Sequence, residues 1–189
     1  MKFLTSHPLL LLIDLQHAID DPSWGERNNP DAEVRVAELL AAWRKRGTPI
    51  LHVKHMSAEP TSTYRPGQRG NDFKDMSAPL AHEDVLEKQS NSAFIGTGLA
   101  PRWQRDGITE VVIVGVVTNN SVEATARMSG NLGFKTWVVA DATFTFAKQD
   151  YAGVWRSAED VHNMSLANLS GEYADIVRTA EVLTAITAH

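Results

Sequence analysis

Apolar residues run along this chain in two rhythms. Residues 8–14 (PLLLLID), 49–53 (PILHV), 111–117 (VVIVGVV) and 136–140 (TWVVA) are short apolar runs with little polar alternation, which marks strands covered on both faces. Between them the spacing is helical. Residues 31–47 (DAEVRVAELLAAWRKRG) predict an amphipathic helix with Val34, Ala37, Leu40 and Ala41 on its apolar face, acids early, bases late, and Gly47 as its stop. Further helices are expected over 99–105, stopped by Gly107; from Glu123 to about Gly133; over 150–169, carrying Val154, Val161, Met164, Leu166 and Leu169; and over 180–186. Two shorter strand-like segments, 84–88 (DVLEK) and 175–178, complete the alternation. Strands joined through helices at this spacing must pair in parallel with right-handed crossovers. The predicted fold is therefore α/β: a three-layer α/β/α sandwich, Rossmann-like, around a mostly parallel six-stranded sheet.

Two stretches break the rhythm. Residues 16–29 contain Pro22, Gly25 and Trp24 as their largest apolar group, and predict a loop. Residues 58–81 hold three Pro and two Gly, interspersed with Tyr64, Arg65, Arg69, Phe73 and Lys74. An excursion of that length in a compact domain is a lid, a binding loop or an oligomer contact. With 189 residues and neither a repeat nor a low-complexity tract, the chain fits one domain over 1–189.

Composition narrows the function. At 43% hydrophobic and 22% charged residues the chain is an ordinary soluble globular protein. Its net charge is −5, and its bases cluster only at Arg44-Lys45-Arg46, so no nucleic acid partner is expected. The longest apolar run, Leu9 to Ile13, is far too short to cross a membrane, and no signal-type apolar core precedes it; the expected address is the cytoplasm. The chain has no cysteine, which removes disulfides, thiolate metal sites and thiol nucleophiles together.

Candidate chemistry gathers where strands end. In such a sheet ligands bind beyond the carboxyl ends of the strands, where strand order reverses. Three reactive groups fall at such ends: Asp14, Lys88 and Ser121. The segment EVVIVGVVTNNSVEATAR turns abruptly from core strand to helix, placing Ser121 at an elbow where free backbone N–H groups and the positive helix end converge. An acid, a base and a hydroxyl in one crevice have the composition of an acyl-transfer site. Taken singly, each has a plainer role: Asp14 as a loop cap, Lys88 as a solvated strand end, Ser121 as a helix N-cap. His52 and His55 point to opposite sheet faces at their spacing, which argues against a metal built on both.

The combination of Asp14-Leu15-Gln16, then KQSNSAF from Lys88, then GVVTNNSVEATAR, then Asp141-Ala142, in that order over residues 9–183, resembles the isochorismatase-like cysteine hydrolase family. That family includes nicotinamidases, carbamoyl-sarcosine and ureide amidohydrolases, and isochorismatases. The resemblance implies that Asp14 is the general acid/base and Lys88 its charged partner. It places the family's nucleophilic cysteine at position 121, where this chain has serine. It also implies a non-proline cis peptide at Val116-Val117, aiming the N–H groups of Val117 and Ser121 at one oxyanion. The implied substrate is a small molecule with a carboxamide, ureido or related C–N bond, with Trp24, Tyr64, Arg65, Phe94 and Thr118 as candidates for its pocket. The implied assembly is a homodimer or homotetramer. No cofactor is implied, and HVKHMSAE lacks the DxH arrangement of metal-dependent nicotinamidases, so no metal is expected.

Serine at 121 leaves three readings open, because a carboxylate deprotonates a thiol of pKa about 8.5 far more readily than an alkanol. The first is a C–N hydrolase whose nucleophile is replaced by serine, which would hold substrate unreacted. The second is an isochorismatase-type vinyl-ether hydrolase that needs only the acid. The third is a Ser-Lys hydrolase or a non-catalytic binding homologue.

Overall fold

Leu9–Ile13 (β1) and Glu110–Val116 (β4) are buried at every position and lie side by side at the middle of a six-stranded sheet. Ile50–His55 (β2) and Asp84–Lys88 (β3) extend the sheet on one side, and Lys135–Phe144 (β5) and Asp175–Val177 (β8) on the other. The order is β3-β2-β1-β4-β5-β8, every pairing parallel. This computed structural model describes Thr5 and residues 7–187, so most of the segment preceding the first apolar run lies outside the described residues.

The period of two along each strand sorts the core into two layers. Leu10, Leu12, Val112, Val114 and Val116 face Ala32–Arg46 (α1) and Thr179–Thr187 (α5). Leu9, Leu11, Ile13, Val111 and Ile113 face Leu99–Arg105 (α2), Glu123–Asn131 (α3) and Ala158–Leu169 (α4). The chain reverses its direction of travel across the sheet between β1 and β4, and that switch point opens a crevice at their carboxyl ends. Gly115 makes the close approach there possible: with φ 117° it lies against β1, and a Cβ would fall 2.2 Å from the Ile13 carbonyl oxygen.

Three expectations are corrected, and one of the plainer alternatives is excluded. In α1 the buried face is Ala32, Val36, Leu39, Leu40 and Trp43, whereas Val34 and Ala41 are exposed. Trp43 decides this, since its indole is fully buried and donates to the Pro8 carbonyl at 2.8 Å. The helix expected over 150–169 starts only at Ala158. Before it, Lys148–Gln149 (β6) and Trp155–Arg156 (β7) form an antiparallel hairpin, turned by Asp150, whose carboxylate accepts the Ala152 and Val154 amides. Ser157 and Asp160 then make a reciprocal capping box, which sets where α4 begins. β5 does not stop at Ala140. A register shift against β4 carries it on to Phe144, and Asp141 accepts the Thr179 amide at 2.8 Å, capping α5. Finally, Ser121 is not a helix N-cap.

Candidate active site

The elbow after β4 is built by backbone. Residues Thr118–Val122 form a π-helical turn that runs directly into α3, and the Val117 carbonyl accepts both the Asn120 amide, at 3.0 Å, and the Val122 amide, at 3.3 Å. No side chain caps this turn, so the Ser121 hydroxyl is left for other partners. The Val116-Val117 peptide immediately before the turn is cis. Thr118 is fully buried; its hydroxyl meets His162 Nδ1 at 2.9 Å, and its carbonyl accepts from the Ser165 hydroxyl at 3.1 Å. Thr118 thus ties the elbow to α4, and its side chain makes no hydrogen bond to the crevice.

Asp14, Lys88 and Ser121 meet at the switch point. Asp14 follows β1 with φ 53°, a left-handed conformation uncommon for a side-chain-bearing residue. Lys88 ends β3 with its side chain wholly enclosed. Its Nζ lies 2.7 Å from Asp14 Oδ2, 3.1 Å from the Ser90 carbonyl, 3.3 Å from Ser121 Oγ and 3.4 Å from His55 Nδ1. All three residues are buried, so the ion pair sits in a poorly screened setting where its geometry is held tightly. Asp14 Oδ1 is the exception to this satisfaction: it is buried and has no hydrogen-bond partner among the described residues. An unpartnered oxygen on a carboxylate that shares one ammonium with a hydroxyl is equipped to take up or deliver a proton.

The loops supply the surroundings. Tyr64 is buried, its hydroxyl donates to the Asp14 carbonyl at 3.3 Å, and burial together with nearby Asp14 pushes its pKa well up, keeping it a neutral phenol. Trp24 stacks on Phe146 at 5.4 Å and meets the edge of Tyr64, while its indole donates to the Ala18 carbonyl. Arg65 is exposed and makes no hydrogen bond or ion pair with the three central residues. Phe94 is placed differently from expectation. Its ring packs against Trp103 and Phe134 in the core, because the Ala93 amide is anchored on Thr125 Oγ1 and turns the following side chain inward. A cleft of about 520 Å³ opens beside Lys88, lined also by Met56, Glu87, Gln89, Ser90, Ile95 and Thr97. A cavity of about 750 Å³ along α4 and one of about 510 Å³ that includes Leu9 and Gly47 contain none of the three.

His55 is the group that strand-end reasoning left unplaced. Its position at the end of β2, next to β3 in the sheet, is what brings it to Lys88. His52 faces the other way and contacts Glu83 Oε2 at 2.9 Å. Among the described residues no group of three or more His, Cys, Asp or Glu is assembled to hold a metal ion, so the two histidines do not form one donor set.

Comparison with known proteins places this geometry. The isochorismatase domain model matches residues 8–181. An isochorismatase-family protein from Chromobacterium violaceum, of known crystal structure, superposes with a TM-score of 0.98 at 54% identity, covering 100% of this chain and 98% of that one. The isochorismatase family protein YrdC of Bacillus subtilis is 40% identical over 92% of this chain and 93% of its own length. The maleamate amidohydrolase of Pseudomonas putida is 28% identical over 93% of this chain and 85% of its own. With matches of this extent over a shared fold, the chain belongs to the isochorismatase family and is a hydrolase of that family.

Proposed function

We propose that the protein hydrolyses a C–N bond of a small carboxamide or ureide, with Ser121 in the nucleophile's place, Asp14 as the proton carrier and Lys88 as their shared charged partner. The observation that carries this reading is one buried ammonium within hydrogen-bonding distance of both Asp14 Oδ2 and Ser121 Oγ, while the second oxygen of that carboxylate has no hydrogen-bond partner among the described residues. In the proposed cycle Ser121 Oγ attacks the carbonyl carbon and its proton passes to Asp14 Oδ1. The N–H groups of Val117 and Ser121 receive the developing oxyanion. Asp14 returns the proton to the departing nitrogen, and the C–N bond breaks. Water then attacks the serine ester and gives its proton to Asp14, Asp14 passes that proton to Ser121 Oγ as the acyl C–O bond breaks, and the acid leaves with Ser121 and the Asp14 carboxylate regenerated. Lys88 remains an ammonium throughout and stabilises negative charge on either oxygen. The amidase name of one relative supports the bond type.

Ammonia release from a panel of small amides and ureides tests this reading. Ser121→Ala is expected to abolish release and Ser121→Cys to raise it, because a thiol reaches its nucleophilic form far more easily. Absence of release from any panel member by the Cys variant would overturn the amidase reading. The free Asp14 Oδ1 also favours a second reading, acid-catalysed vinyl-ether hydrolysis without a nucleophile. There Ser121→Ala keeps turnover while Asp14→Asn loses it.

A further inference from the structure

The Lys88 ammonium has more acceptors than protons. Its Nζ carries three N–H groups, and four acceptors surround it: Asp14 Oδ2, the Ser90 carbonyl, Ser121 Oγ and His55 Nδ1. The two shortest bonds, to Asp14 and Ser90, occupy two protons. The third is shared between Ser121 and His55, at 3.3 and 3.4 Å. We infer that His55 is a positioning residue of this site: its unprotonated Nδ1 accepts the third Lys88 proton and thereby holds the ammonium between Asp14 and Ser121.

The surroundings of His55 fit a fixed acceptor. Its amide donates to Gln16 Oε1 at 2.7 Å, and its carbonyl accepts from Gln16 Nε2 at 3.1 Å and from Asn71 Nδ2 at 2.9 Å. Gln16 is fully buried and Asn71 nearly so. Two buried amide side chains therefore clamp the backbone of one half-buried histidine, while the Tyr64 ring meets its imidazole edge to face with centroids 5.5 Å apart. The titratable groups facing the ring come from three elements: Lys88 on β3, Asp14 after β1 and Tyr64 from the long loop. Burial and the Lys88 charge lower the His55 pKa, and Asp14 opposes them more weakly. Protonation would remove the acceptor and set a like charge against the ammonium, displacing Lys88 from Ser121. As a charge on Ser121 Oγ develops during reaction, the shared proton is free to swing to it, which gives the imidazole the role of resting partner.

The inference rests on the proposed use of Asp14, Lys88 and Ser121, so its test has one arm that needs no turnover. Nitrogen NMR of the wild-type protein is expected to show His55 as the Nε2–H tautomer titrating below the ordinary value of about 6.5. A proton on Nδ1, or an ordinary titration, overturns the inference whatever the substrate proves to be. The second arm is kinetic. His55→Leu should lower kcat on the order of 10–100-fold with a smaller change in KM, since it loosens the ammonium rather than the substrate pocket. His55→Asn, whose amide oxygen stands where Nδ1 stood, should recover most of that loss and lack the acid limb that matches the His55 titration. An Asn variant no better than the Leu variant, or one that keeps the limb, overturns it.

Discussion

At the scale of single residues the site is organised by what is satisfied and what is not. Lys88 is surrounded by acceptors, while one oxygen of Asp14 has no donor among the described residues, and that imbalance marks Asp14 as the proton-handling group. Asp14→Asn is expected to lower turnover on the order of 10²–10⁴-fold, measured as steady-state kcat. Asn tolerates the φ of 53° at this position, so the backbone should be preserved. Circular dichroism of the variant should match the wild type, and its midpoint of thermal unfolding should drop, because the buried ammonium loses its counter-charge. Position in the strand pattern was enough to find Asp14, Lys88 and Ser121, since each follows or ends an apolar or strand-like run. It was not enough for Phe94, whose ring direction depends on how Thr125 anchors the preceding amide. Nor did it place His55, whose contact with Lys88 exists only because β2 and β3 are neighbours.

At the scale of elements, strands were more legible than helix faces. A strand covered on both sides needs no face assigned to it, and β1 and β4 are of that kind. In α1 several apolar positions compete for the core, and a single buried tryptophan with its hydrogen bond turns the helix toward Val36 and Leu39. Leu39→Ala should therefore cost about 2–5 kcal/mol in denaturant unfolding, and Val34→Ala no more than about 0.5 kcal/mol. Gly115→Ala should be worse than either. Its added methyl would meet the Ile13 backbone, which belongs to the adjacent central strand and has nowhere to yield. The hairpin ahead of α4 had a signal in the sequence, Asp150 with Gly153, followed by Ser157 with Asp160, but helical spacing of apolar residues outweighed it. Ser157→Ala should cost about 1 kcal/mol, read as a lowered unfolding midpoint.

At the scale of the molecule, acid should unfold the protein in two stages. Burial lowers the pKa of His52, His55 and His162, so the folded chain keeps them neutral where the unfolded chain takes up protons. The stability this confers is present above the unfolded value of about 6.5 and is lost as pH falls below it. Glu83 follows at lower pH. Hydrogen bonds from Arg44 hold its carboxylate at about 2, against 4.5 for an unperturbed glutamate, so its contribution is present above 4.5 and is lost as pH falls toward 2. Unfolding free energy measured against pH should fall first below 6.5 and again below 4.5, and Glu83→Gln should shrink the second fall. A single fall confined to the carboxylate range would contradict the assignment of the buried imidazoles.

The sequence alone determined the alternation of strand and helix, hence a parallel sheet and a crevice at its carboxyl edge, because apolar runs and helical spacing are local properties of the chain. It also determined which reactive residue types lie at strand ends. Only the tertiary structure decided strand order, and with it the meeting of residues 14, 55, 88 and 121 around one ammonium. Hydrogen-bond partners of buried groups are set by which strands become neighbours, and neighbourhood in a sheet is chosen by the whole chain's packing rather than by any segment of it.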